Sequence, residues 1–318
     1  MKLVTFSTSG EGDRVGVLTD AGVVDLSAAA KKSGAAQLPS TMNDFLAQGE
    51  AGLDRARKMV EFAGKEGLVL KEGDVTLNAP VPAPPVLFMM GFNGSIIPTL
   101  KQKGWTVPDN YSKEPWWFIV PSAAVIGPNT PIVRPKGCED LGNSPELGVV
   151  IGKPAWRVSP EKALDYVAGY TAVNDATQWD VQKRDHFMYT TTKVKSFPTC
   201  KPIGHCITTM DEIANPHDVK AQFWIDNKMV GECSTSKYRF SVAEVVSHAS
   251  HYVCLQPGTT IAMGALPEIL EMTVYPGQVV VNDFLGVARL SNPIVDESQI
   301  TPAEYLRRVG IPEKQIAA

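Results

Sequence analysis

Between Asn78 and Pro85 the chain reads NAPVPAPP, four prolines in eight residues. Proline fixes φ and has no N–H to donate, so this stretch belongs to neither a helix nor an inner strand. It reads as an extended connector that sets residues 1–80 apart from the rest. Ahead of it, β-like runs at Lys2 to Phe6, Arg14 to Leu18 and Gly22 to Asp25 are separated by Gly and Asp turn residues. Thr41 to Phe62 then reads as a helix, with Met42, Phe45, Leu46, Leu53, Ala56, Met59 and Val60 forming an apolar stripe.

Beyond the connector, short strand-like runs dominate: Val86 to Met90, Ala124 to Ile126, Leu147 to Gly152, Val167 to Asn174, Gln222 to Ile225, Thr260 to Met263 and Gln278 to Val281. Gly127-Pro128, Pro257-Gly258 and Pro276-Gly277 punctuate them, and one clear helix stands at Val242 to Val253. Many short strands with frequent turns predict an α+β, β-rich fold, a barrel or roll rather than a doubly wound sheet. No Gly-X-Gly-X-X-Gly follows a strand, so nucleotide use has no support. The expected division is a small N-terminal domain over 1–80, a larger domain over 86–298 and a helical tail over 299–318.

Lys and Arg number 30 against 34 Asp and Glu, a net charge of -4, which argues against a nucleic-acid or anionic-membrane partner. No run approaches the length of a membrane helix, and the first residues lack a basic start followed by an apolar run. A cytoplasmic globular protein is expected. The five cysteines are odd in number and scattered, which predicts reduced thiols rather than a disulfide framework or zinc site. His248 and His251 fall three apart on the predicted helix surface.

The chemistry concentrates between Pro145 and Gly204, in PELGVVIGK (145–153), VAGYTAVNDATQWDVQ (167–182) and KSFPTCKPIG (195–204). LQPGTTIAMGALP (255–267) and YPGQVVVNDFLGVARLSNPIVD (275–296) follow. In this order the segments resemble the fumarylacetoacetate hydrolase superfamily over about two hundred residues, the Asn174-Asp175 block being the most specific. The resemblance implies a mixed β-roll catalytic domain, a divalent cation (Mg, Mn or Ca) held by hard oxygen ligands, and a homodimer. It implies an enzyme that polarises a carbonyl and stabilises an enolate. Hydrolysis of a carbon–carbon bond in an acylpyruvate or β-diketone, in aromatic catabolism, is the leading expectation. Decarboxylation, hydration or tautomerisation of a 2-oxo acid, and a metal-free or non-catalytic relative, are the alternatives.

Carried over residue by residue, the metal ligands are Glu146 and Asp175, and Ser144 stands where the family has a further Glu. Residues two apart on a strand share a face, so Ser144 leaves that grip one anion short. Lys195 keeps the family's place near substrate. The lid histidine is replaced by Ile97, leaving His186 as a candidate base. Arg184 beside it is a candidate partner for a substrate carboxylate. Met263 replaces a hydroxyl that meets substrate, and Ser144 is counted with the substrate contacts. Two readings remain: a cation held by Glu146, Asp175, waters and substrate, which is preferred, or a metal-free pocket rebuilt for a less charged substrate. Trp105, Trp116, Trp117 and Phe118 fit a ring-containing substrate or a packed core equally.

Overall fold

The computed structural model describes residues 1–9, 11–91, 93, 101, 113–185, 187–266, 272–301, 303, 304 and 306, with the side chains of 187–189 left aside. His186, Ile97, Trp105 and most of the C-terminal tail lie outside the described residues.

The strand Pro145–Ile151 is buried at every position, so its apolar run occupies the middle of a sheet rather than an edge. It pairs antiparallel with Val167–Asn174 on one side and Thr260–Ala262 on the other. From there Thr260–Ala262 runs parallel to Leu87–Met90, which pairs with Trp117–Val120. In the other direction Val167–Asn174 meets Ile207–Thr209, and that strand pairs with Lys2–Ser7. Arg14–Thr19, Gly22–Asp25 and Val69–Leu70 complete the series. The segments on both sides of the proline connector thus share one sheet.

A second sheet, with Val279–Phe284 and Ala288–Asp296 at its centre, carries the Tyr275 to Asp296 motif. Helix Val242–Tyr252 opens on a capping box between Ser241 and Glu244 and buries Val242, Val245, Val246 and Ala249. The architecture is α+β and β-rich, as expected, and its apolar core joins Phe6, Phe88, Leu147, Val149, Phe223 and Phe284.

Helices depart most from expectation. Gly49, at φ 55°, splits the long predicted helix into Met42–Leu46 and Gly49–Glu66. An additional helix, Leu26–Ser33, is capped by Asp25, which accepts the Ala28 N–H at 3.0 Å, and closes on Gly34 at φ 73°. Trp179–Arg184 and Phe187–Lys195 are helices as well, between Asp175 and Lys195.

Candidate active site

The register between the two central strands sets Pro145 opposite Asn174 and Glu146 opposite Val173. The strands therefore end side by side, and Asp175 emerges next to Ser144. Its N–H donates to Ser144 O at 2.9 Å, while the Ser144 N–H donates to Asn174 Oδ1 at 3.0 Å. Asn174 Nδ2 in turn donates to Asn143 Oδ1 at 2.6 Å. These bonds fix the main chain around the carboxylate of Asp175.

Two lysines close on that carboxylate. Lys195, the last residue of its helix, donates to Asp175 Oδ2 and to Thr177 Oγ1, the latter at 2.6 Å. Its ammonium also lies 5.6 Å from the Phe118 ring centroid. Lys201, in the two-residue strand Lys201–Pro202, pairs with the other oxygen, Asp175 Oδ1, at 2.9 Å. Burial pushes the Asp175 carboxyl upward, but Lys195 and then Lys201 outweigh it and hold the group below the usual carboxylate range. Burial likewise opposes the charge on Lys201, and Asp175 overcomes it, so this ammonium stays above the ordinary lysine value.

Glu146 is titrated in the other direction. It is buried on its strand, and Oε2 accepts the Gly264 N–H at 2.8 Å. Burial first, then the charge of Asp175, raise its carboxyl well above the ordinary range. The donor Gly264 sits at φ 89°, and a Cβ there would come within 3.0 Å of Asn93 Cβ. Asn93 itself is clamped to Phe240, donating to its carbonyl at 3.1 Å and accepting from its N–H at 2.8 Å.

The structure thus brings together Glu146, Asp175, Ser144 and Lys195. Met263 is buried in the apolar core, with its N–H on Leu147 O at 2.9 Å. Arg184 is exposed and pairs with its neighbour Asp185. Trp117 stacks on Phe88 at 4.6 Å, and Trp116 covers Gly91, where a Cβ would lie 1.6 Å from the indole. Lys201 is the residue that sequence reasoning passed over. The available signal was a lysine in the apolar surroundings of Phe197, Cys200 and Ile203, where a charge requires a partner.

The donor set can be tested against the divalent cation that the resemblance implies. Ser144 contributes no charge, Glu146 is buried with Oε2 engaged by the Gly264 N–H, and both Asp175 oxygens face ammonium groups. Among the described residues no three His, Cys, Asp or Glu side chains gather as a metal-binding group. As they stand, these residues do not fit a divalent cation.

Known proteins resemble the chain over most of its length. The family model for the fumarylacetoacetate (FAA) hydrolase C-terminal domain matches residues 95–295. A mitochondrial oxaloacetate tautomerase of Xenopus laevis is 28% identical over 305 residues, covering 93% of this chain and 90% of that protein. A human mitochondrial oxaloacetate tautomerase is 31% identical over 232 residues, 73% of this chain and 71% of that protein. The 4-hydroxyphenylacetate degradation bifunctional isomerase/decarboxylase of Salmonella dublin is 31% identical over 283 residues, covering 83% of this chain and 64% of that protein. Among solved structures, maleylpyruvate hydrolase from Sphingobium sp. SYK-6, in complex with manganese(II) ion and pyruvate, superposes with a TM-score of 0.72. It is 24% identical and covers 93% of this chain and 99% of that one, a likeness of fold. By the family match and by these identities, the chain belongs to the fumarylacetoacetate hydrolase family.

Proposed function

We propose that the protein is an enzyme that interconverts the keto and enol forms of a small 2-oxo acid, with Lys195 holding the developing enolate oxygen. The observation that carries this reading is the graded burial of the cluster. The Lys195 side chain is 12% exposed, against 5% for Asp175 and 0% for Lys201. Lys195 is the most exposed of the three and the first to meet an incoming ligand. Asp175 and Thr177 orient its ammonium, and the Phe118 ring gives a planar substrate an apolar wall.

Tautomerisation moves one proton between carbon and oxygen. Glu146, whose carboxyl burial raises above the ordinary range, can give its proton to the enol carbon, and the carboxylate left behind takes up the proton of the enol hydroxyl; the reverse sequence returns the keto form to the enol. Negative charge on the enolate oxygen is met by the ammonium already in place. When bound to a member of this family, a divalent cation polarises the oxo-acid carbonyl; no step here requires it. Relatives named as a tautomerase and as an isomerase/decarboxylase support proton transfer at such a carbon. Carbon–carbon hydrolysis instead needs a base to activate water. Among the described residues of the cluster, Asp175 is paired with two lysines, and burial raises the Glu146 carboxyl well above the ordinary range. A base role for His186 and carboxylate binding by Arg184 stay proposals, as do a cytoplasmic setting and a homodimer.

Oxaloacetate in deuterated water tests the reaction. Faster decay of the enol absorbance, with deuterium entering the carbon beside the carbonyl and no cleavage, is the expected result. Oxygen from labelled water appearing in a new carboxylate would make the enzyme a hydrolase instead. Lys195→Met removes a charge-assisted contact worth about 1.5–3 kcal/mol, so turnover should fall about tenfold to a hundredfold. Unchanged kinetics would return Lys195 to a structural role.

A further inference from the structure

We infer that Lys201 supplies from within the chain the positive charge that a divalent cation would bring to this site, so that the protein works without a metal. The inference concerns the site's charge and holds whichever oxo acid is turned over.

The Lys201 ammonium is caged. Around Nζ stand Asp175 Oδ1 at 2.9 Å, the carbonyls of Ala176 and Cys200 at 3.2 Å each, and Cys200 Sγ at 3.3 Å. A lysine ammonium has three N–H groups, and the two carbonyls and the Cys200 sulfur accept from them, with the Asp175 carboxylate as the ion-pair partner. The cage is built into the main chain. Ala176 N–H donates to Cys200 O at 3.1 Å, and the strand of Lys201 pairs in parallel with Val125–Ile126. The side chain has no exposed surface through which to swing out.

Charge points the same way. Ser144 carries no negative charge where the resemblance implies a further Glu, and the Asp175 carboxylate already faces the ammonium groups of Lys195 and Lys201. A divalent ion placed on Asp175 would face two ammonium groups in a buried setting, where like charges repel most strongly.

Titration of the full chain with Mn(II), followed by electron paramagnetic resonance, reads this without reference to turnover. The native protein should leave Mn(II) free at micromolar concentrations. Ser144→Glu combined with Lys201→Met restores the anion and removes the ammonium, and should bind Mn(II) at least about a hundredfold tighter, since ligand charge tunes such sites over orders of magnitude. Ser144→Glu alone should gain less than about tenfold, because Lys201 still occupies Asp175. Stoichiometric micromolar binding by the native protein overturns the inference, as does a folded double variant with no gain. If the double variant fails to fold, a hundredfold gain by Ser144→Glu alone overturns it and a small gain supports it. Any oxaloacetate turnover should survive excess EDTA, and its loss there would overturn the inference. Absence of turnover would count against the proposed reaction, while the Mn(II) titrations still decide the role of Lys201.

Discussion

Asp175 carries the largest energetic burden of any single side chain in the site, because two ammonium groups depend on it. Asp175→Asn leaves both without a counter-charge, one of them wholly buried, and should destabilise the fold by about 3–5 kcal/mol. Urea unfolding measures this, and a loss below 1 kcal/mol would show that the lysines find other partners. The same pairing predicts a pH dependence. The folded Asp175 carboxyl lies below its unfolded value, so its contribution is present above the unfolded pKa and lost as pH falls through the folded one. Acid unfolding should therefore shift to higher pH in Asp175→Asn relative to the native protein. Glu146 responds in reverse. Its folded carboxyl is raised, so its contribution is present below the unfolded pKa and lost as pH rises through the folded one. Glu146→Gln is a neutral isostere of this carboxyl and should keep native stability at neutral pH or increase it, while proton transfer collapses; equal losses of both would assign Glu146 to packing. Glu146, Asp175 and Lys195 were legible in the sequence because each stands in a motif of fixed spacing. Lys201 was not, since its partners at Ala176 and Asp175 lie on a segment twenty-five residues away.

The strands were readable from their local runs. Val167–Asn174 and Gly22–Asp25 fall where the apolar runs predict, because short runs rich in Val, Tyr and Thr favour strands for local reasons. Helices that lack a broad apolar stripe were not. Phe187–Lys195 contains three consecutive threonines, whose branched side chains disfavour helix in isolation, so its helical state comes from tertiary context. That helix delivers Lys195, so a part of the site depended on an element the local pattern hides. Two substitutions test how elements hold the site. Ser241→Ala removes the cap of Val242–Tyr252 and should cost about 1 kcal/mol, leaving turnover unchanged by comparison. Gly264→Ala forces a Cβ towards Asn93 at φ 89°, a conformation costing a non-glycine residue of order 1–3 kcal/mol. It should shift the N–H that Glu146 accepts, lowering turnover more than stability; the opposite ranking would detach Gly264 from the site.

Across the whole molecule the first segment is tied into the central sheet. Lys2 pairs with Thr208 and Leu3 with Ile207, and Leu3, Val15, Val17 and Val24 share a core with Val150 and Ile207. A chain beginning at Val86 should therefore expose Ile207–Thr209 as a free sheet edge and aggregate, as unpaired edges do; a monomeric, cooperatively unfolding fragment would show that the larger segment stands alone. The proline connector was visible in the sequence, whereas this strand exchange across it was not, since pairing partners far apart leave no local mark. The same pairing sets a schedule for the ribosome. The Met1 carbonyl waits for Thr209, 208 positions later, and at the ~5–20 residues per second of translation that interval is about 10–40 s. During it the Lys2–Ser7 strand has its hairpin neighbour but not its partner in the central sheet, so it is fully enclosed only once that much later segment has been made.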